Sequence, residues 1–134
     1  MLPMFKLKTF LVNWGPALLM MAVIFAFSSR GRDELPNFGG WDHFVKKMGH
    51  GLGYGLLTLS YWRGLGFRRG ENWLAWLMAL AFSATDEFHQ SFVPGRHPSL
   101  VDVFVFDNLG ALITVTAFAF FRNRRAKEVS ERRL

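Results

Sequence analysis

The chain has no cysteine, few charged residues (19%) and only two tyrosines among its 134 residues. Without cysteine there is no disulfide framework, no thiolate metal site and no cysteine nucleophile, and the redox compartment is left unmarked. The charged share lies below the roughly 25% usual in soluble domains. What fills the gap is apolar: 51% hydrophobic residues, with fifteen Phe and five Trp. That much apolar surface excludes a disordered chain, and the length allows one domain. The formal charge is +6, but a nucleic-acid partner would need its basic residues in a stripe on a soluble fold. Here they punctuate long apolar runs, the pattern of a membrane protein, and no nucleic-acid partner is expected.

Four runs are read as transmembrane helices. Residues 10–27 contain no charge and at about 1.5 Å per residue reach about 27 Å, close to a hydrocarbon core of roughly 30 Å. Pro16 within this run is tolerable in a membrane helix. A cleavable signal segment is the rival reading, but its apolar part is typically only about 7–15 residues. Residues 48–67 lie between Lys47 and Arg68, interrupted by His50 and by Arg63, which is placed to snorkel. Gly51 and Gly55 form a small-xxx-small pair suited to close helix approach. Trp73–Thr85 is too short to cross unless the helix continues through Asp86, Glu87, His89 and Gln90 to about residue 93, where Pro94-Gly95 supplies a turn. Residues 100–121 carry Asp102, Asp107 and Asn108 in their first half, and residues 122–134 form a basic tail.

With the N-terminus inside, the inner segments hold eleven Lys and Arg and the outer segments five. The positive-inside rule then puts both termini in the cytoplasm, and the basic tail is an orientation signal and a patch for anionic lipid. The expected fold is an all-α, integral membrane four-helix bundle, N-in and C-in, as one domain.

Counting along the helices puts polar groups at matched depth. Asp86 and Asp107 stand about 20 Å above the cytoplasmic face, and Tyr54 about 10 Å below the outer one. His50 and Gln90 lie one turn further out, Asp102 is shallower, and Lys46, Lys47, Arg96 and His97 sit at the rim. An outward-opening, acid-lined pocket is expected. Any single polar residue here is more readily helix-to-helix glue than a functional group, worth about 0.6 kcal/mol. Four acids with a His, a Gln and a Tyr exceed what packing of four helices needs.

Three stretches carry a resemblance: FVKKMGHGLGYGL (44–56), DEFHQSFVPGR (86–96) and SLVDVFVFDNLGA (99–111). Together they resemble the VanZ-like family of small bacterial membrane proteins. In that family a basic pair precedes His-x-x-x-Tyr, and an Asp-Glu-x-x-Gln-x-Phe-x-Pro-Gly-Arg run closes the third span. Ser28-Ser29 also fits. The resemblance carries over Lys47, His50, Tyr54, Asp86, Glu87, Gln90, Arg96, Asp102, Asp107 and Gly110. Two positions depart from the pattern. Gly53 stands where many relatives have Glu, and Asp102 and Asp107 are five residues apart rather than four, about 140° around an ideal helix. Either Asp107 points elsewhere or a π-bulge absorbs the extra residue. The resemblance implies an envelope protein, since the founding member is linked to resistance to the glycopeptide teicoplanin, but it supplies no reaction.

Three functions are open at this point. The protein could bind a membrane lipid or lipid-linked envelope molecule, with Lys47, His50, Tyr54, Asp86, Glu87, Gln90, Arg96, Asp102 and Asp107 as the ligand-binding set. It could be an integral membrane enzyme with Asp86 or Glu87 as base and His50 as acid, although no known catalytic motif is present. It could be a non-catalytic scaffold or transporter subunit, completed as a homo-oligomer. No cofactor and no metal are called for: Glu87 and His89, at i and i+2, do not face each other. Asp86 is assigned to the pocket and Glu87 to an ion pair with Arg96.

Overall fold

The computed structural model describes residues 4–132, apart from the side chains of Met4, Phe5, Arg32 and Asp102. Arg32 and Arg133, counted in the charge balance, and the Asp102 carboxylate therefore lie outside the described groups. Helices α1 (Met4–Ser28), α2 (Asp42–Gly64), α3 (Asn72–Gln90) and α4 (Asn108–Glu131) follow in order, α4 continuing from a π-helical stretch over Asp102–Asp107. No strand occurs among the described residues. Successive helices run antiparallel: Arg63 near the end of α2 reaches Val12 near the start of α1, while Ser28 at the end of α1 meets Asp86 towards the end of α3. α2 packs against all three of the others. Two helical stretches, Lys6–Ser28 and Val103–Glu131, are long and apolar enough to cross a membrane.

The boundaries differ from the apolar runs, each for a local reason. α2 starts at Asp42, before its apolar stretch, because an acid in the first turn complements the helix dipole and Asp42 pairs with Lys46 at 2.8 Å, one turn on. It ends in a Schellman motif: Gly66 (φ 77°) bonds back to the Arg63 carbonyl and Phe67 to that of Trp62. α3 stops at Gln90, three residues short of the expected end, where successive turns lead into Gly95 (φ 75°). α4 does not stop at Phe121 but runs on as helix through most of the basic tail, to Glu131.

Pro16 inside α1 has no N–H, so the carbonyl of Val12, four residues back, loses its helical donor. Arg63 of α2 supplies one, Nη2 to Val12 O at 3.4 Å. Arg63, expected to snorkel, thus also has a specific partner on α1.

The core sorts by size. Tyr54, Leu57, Tyr61 and Trp62 project from α2 onto Ala17 of α1, Ala75 and Ala79 of α3 and Val115 of α4. Close approach does the rest on the α2–α4 seam. A Cβ on Gly110 would run into the Gly51 backbone, and one on Gly55 would meet Thr114 Oγ1. The small-xxx-small pair of α2 therefore meets a matching Gly110/Thr114 pair at the same spacing on α4. Besides this apolar core, polar residues are buried and large apolar ones exposed to a degree unusual for a water-soluble domain. Ser28, Thr58, Ser83, Asp86, Glu87, Gln90 and Asp107 are buried, whereas Phe10, Leu18, Leu19, Leu52, Leu56, Ile113 and Phe120 are exposed.

Candidate functional site

The polar groups that counting places at one level do meet, at the end of the bundle where α1 and α3 finish. Asp86 is the hub. Its Oδ2 accepts from Ser28 Oγ (2.6 Å), Gln90 Nε2 (3.1 Å) and the Tyr54 hydroxyl (3.2 Å), joining α1, α2 and α3 through one oxygen. Gln90 also donates to Ser28 Oγ at 3.2 Å. Asp107 reaches the same region from α4. Its Oδ2 accepts from Ser83 Oγ at 2.6 Å, and its Oδ1 faces His50 Nδ1 at 3.3 Å. Of the two alternatives for Asp107, the chain takes the π-turn. The i→i+5 spacing of the π-helix puts residue 107 one turn beyond residue 102, so the extra residue is absorbed and Asp107 turns inward.

Ser28 and Ser83 are central to this network. In the sequence Ser28 stands out only through the family resemblance, and Ser83 does not stand out. A serine in an apolar helix usually bonds its own backbone, so its one legible signal was its spacing: Ser83 lies one turn before Asp86 and Glu87 on α3.

The Asp86–Arg96 segment binds mostly to α1. His89 Nε2 lies 3.0 Å from Ser29 Oγ and its ring stacks on Phe25. Arg96 donates to the Arg30 carbonyl through Nε and to the Phe27 carbonyl through Nη2, both at 3.0 Å. It thereby ties down the end of α1: the Phe27 carbonyl in the last turn otherwise receives only the Arg30 N–H at 3.3 Å, and Arg30 lies just beyond the helix. The expected Glu87–Arg96 ion pair is not formed. Glu87 Oε1 instead accepts the Ser99 backbone N–H just before the final helix begins. The acid and the guanidinium are thus drawn apart, each to backbone groups at a different helix end. The separation of Glu87 from His89 holds, one facing Ser99 and the other α1.

Three buried polar atoms have no hydrogen-bond partner among the described residues: Asp86 Oδ1, Asp107 Oδ1 and His50 Nδ1. His50 and Asp107 are close, but not aligned as a hydrogen bond. No group of three or more acid or imidazole side chains there is arranged to hold a metal ion, among the described residues.

Beside the network lies an open cavity of about 370 Å³ between α1 and α2, closed by the loop that joins them. Met20, Val23, Ile24 and Phe27 form its α1 wall, and Leu35, Pro36 and Phe38 its loop wall. Its α2 floor includes Gly49 and Gly53, one turn apart. A Cβ on Gly49 would touch nothing within 4 Å, and one on Gly53 would make ordinary contact with Ile24 at 3.9 Å. The volume is therefore partly the side chains these positions lack. Ser28, Lys46, His50, Tyr54 and Arg96 supply its polar edge.

This corrects the expectation of an acid-lined pocket. Asp86, Glu87, Gln90 and Asp107 are absent from the cavity wall; Asp86 and Gln90 sit behind Ser28, and Asp107 behind His50. Lys47 is also absent from the wall, its ammonium lying 4.8 Å from the Phe106 ring centre on the α4 side. Of the two adjacent lysines, Lys46 is the one at the cavity. Lys46 stands three, four and seven residues before Gly49, His50 and Gly53, within about 60° of each around the helix, whereas Lys47, about 100° further round, is about 160° from Gly49 and about 120° from Gly53.

Comparison with known proteins is consistent with this layout of motifs. No curated protein and no solved structure matches the chain. The model of the VanZ/LLP1 family matches residues 12–122, from the first helix through Arg122. That span takes in the serines of α1, the His and Tyr of α2, the Asp86–Arg96 segment and the π-turn. The chain belongs to the VanZ/LLP1 family.

Proposed function

We propose that this is a multi-pass protein of the bacterial cell membrane that holds an envelope amphiphile at its outer face. Four helices span the bilayer with both termini cytoplasmic. Support comes from the exposed apolar surface, since monomeric soluble proteins rarely expose apolar area on this scale, and from the eleven-to-five distribution of basic residues. The cavity carries the functional reading. Its apolar walls suit an acyl or isoprenoid chain, its volume falls within the roughly 300–1,000 Å³ of ligand sites, and Arg96 at its edge, with Lys46 paired to Asp42 beside it, suits a polar head that carries negative charge. Family membership supports an envelope role, with altered tolerance to glycopeptides such as teicoplanin as the outcome.

Acid–base catalysis is the second reading, favoured by the unpartnered oxygens of Asp86 and Asp107 beside His50. Lipid mass spectrometry on the purified protein separates the two. Binding predicts a co-purifying amphiphile that is lost from Gly49→Leu/Gly53→Leu, which fills the cavity. An identical lipid complement in that variant and the native chain would sink it. Catalysis predicts a mass-shifted product with the native chain and none with Asp86→Asn. The topology is tested by single-cysteine labelling on the cysteine-free background: Asn37→Cys is labelled from outside, Ser130→Cys only after lysis.

A further inference from the structure

We propose that a second cleft, at the opposite end of the bundle between the α2–α3 turn and the end of α4, is a binding site for a phosphate-bearing anion. Its volume is about 700 Å³. Arg69 and Asn72 line it from the turn, and Arg122, Asn123, Lys127 and Ser130 from α4. The α4 contributors recur at helical three- and four-residue spacing with Ala119 and Ala126 between them, so they form one face with small residues keeping it open. Every polar side chain of the lining is a hydrogen-bond donor or can act as one, and three are cations; no carboxylate lines it among the described residues. Glu71, the nearest acid in sequence to the turn, lies 3.6 Å from Arg68.

Arg122 makes the cleft more than a cluster of surface charge. Its guanidinium lies over the rings of Trp62 (5.4 Å) and Phe67 (5.8 Å), and Nη1 donates to the Phe67 carbonyl. Those partners hold the planar fork in place without cancelling its charge, which suits a multivalent oxyanion. Asn72 is the first residue of α3, whose N-terminal dipole adds to the same potential. Under the topology proposed above this cleft faces the cytoplasm. The anion is then either the headgroup of an acidic phospholipid or a free phosphate, and the chemistry of recognition is shared.

The test uses the full chain in nanodiscs and two charge-matched variants. Arg69→Gln/Lys127→Gln alters the cleft; Arg124→Gln/Arg125→Gln removes the same charge from neighbouring α4 positions outside it. One arm titrates inorganic phosphate against protein in phosphatidylcholine discs, and the other counts phosphatidylglycerol retained from mixed discs by native mass spectrometry. The cleft variant is expected to lose about tenfold in apparent affinity, and the control under about threefold. Loss confined to the lipid arm identifies a headgroup, and loss in the phosphate arm a soluble ligand. Equal losses in the two variants, or no anion bound in either arm, would overturn the site. Neither arm depends on the α1–α2 cavity, so the result is separable from the fate of the amphiphile reading.

Discussion

At one end of the bundle a single carboxylate oxygen of Asp86 collects donors from three helices, whereas at the other a single guanidinium of Arg122 lies between two aromatic rings and a carbonyl. The first arrangement concentrates its bonds on one acceptor in a buried place. The second spreads its energy over ring faces: Trp62 and Phe118 meet edge to face at 5.6 Å, Phe67 stacks on Phe118 at 5.4 Å, and the Trp62 indole donates to the Arg68 carbonyl. A hub of hydrogen bonds fails all at once, because every donor that loses it is stranded without water. A clamp of stacked rings loses strength in portions. The hub also lies beside the cavity, so the position most sensitive to substitution is coupled to the proposed ligand site.

The largest effect expected from this contrast is at the hub. Asp86→Ala leaves Ser28, Tyr54 and Gln90 with an unpaired group and should cost about 3–5 kcal/mol, read as loss of folded protein from the membrane fraction. Asp86→Asn keeps an oxygen where the three donors converge and should accumulate. Equal loss of both variants would show that charge, not the acceptor, holds the end together.

Next comes the seam that both ends share. Gly110→Ala drives a methyl group into the Gly51 backbone and should cost about 1–3 kcal/mol, measured as a fall in melting temperature in detergent. An unchanged melting temperature would mean that α2 and α4 can slide apart freely.

At the clamp, Arg122→Ala should cost about 1–2 kcal/mol. Arg122→Lys should recover little of it, since an ammonium lacks the planar fork. Full rescue by Lys would reduce the clamp to a simple charge. The smallest effect is at Glu87. Glu87→Gln retains the oxygen that receives the Ser99 N–H and should stay within about 1 kcal/mol, while Glu87→Ala should lose about 1–2 kcal/mol. A severe Glu87→Gln phenotype would bring back the charge role that the Arg96 geometry removes.

Much of this protein was legible along the chain because depth in a helix is a matter of counting. At a constant rise per residue, Tyr54, Asp86 and Asp107 had to arrive at one level, and the small-residue pair Gly51/Gly55 was suited to the close seam that α4 fills. The one irregularity in that count, the five-residue step from Asp102 to Asp107, was visible as a choice between two outcomes. Which outcome the chain took depended on α3, where Ser83 receives the inward-turned carboxylate. Partnership was not legible in the same way. Glu87 and Arg96 are opposite charges nine residues apart, yet one goes to the Ser99 amide and the other to the end of α1. Lys46 rather than Lys47 reaches the cavity, and the acids stand behind its wall rather than in it. Sequence alone determined the helices, the level of the polar layer and the family. Tertiary structure decided the rotation of each helix about its axis and the backbone groups left unpaired at helix ends, and long polar side chains go to whichever of those groups lie within reach.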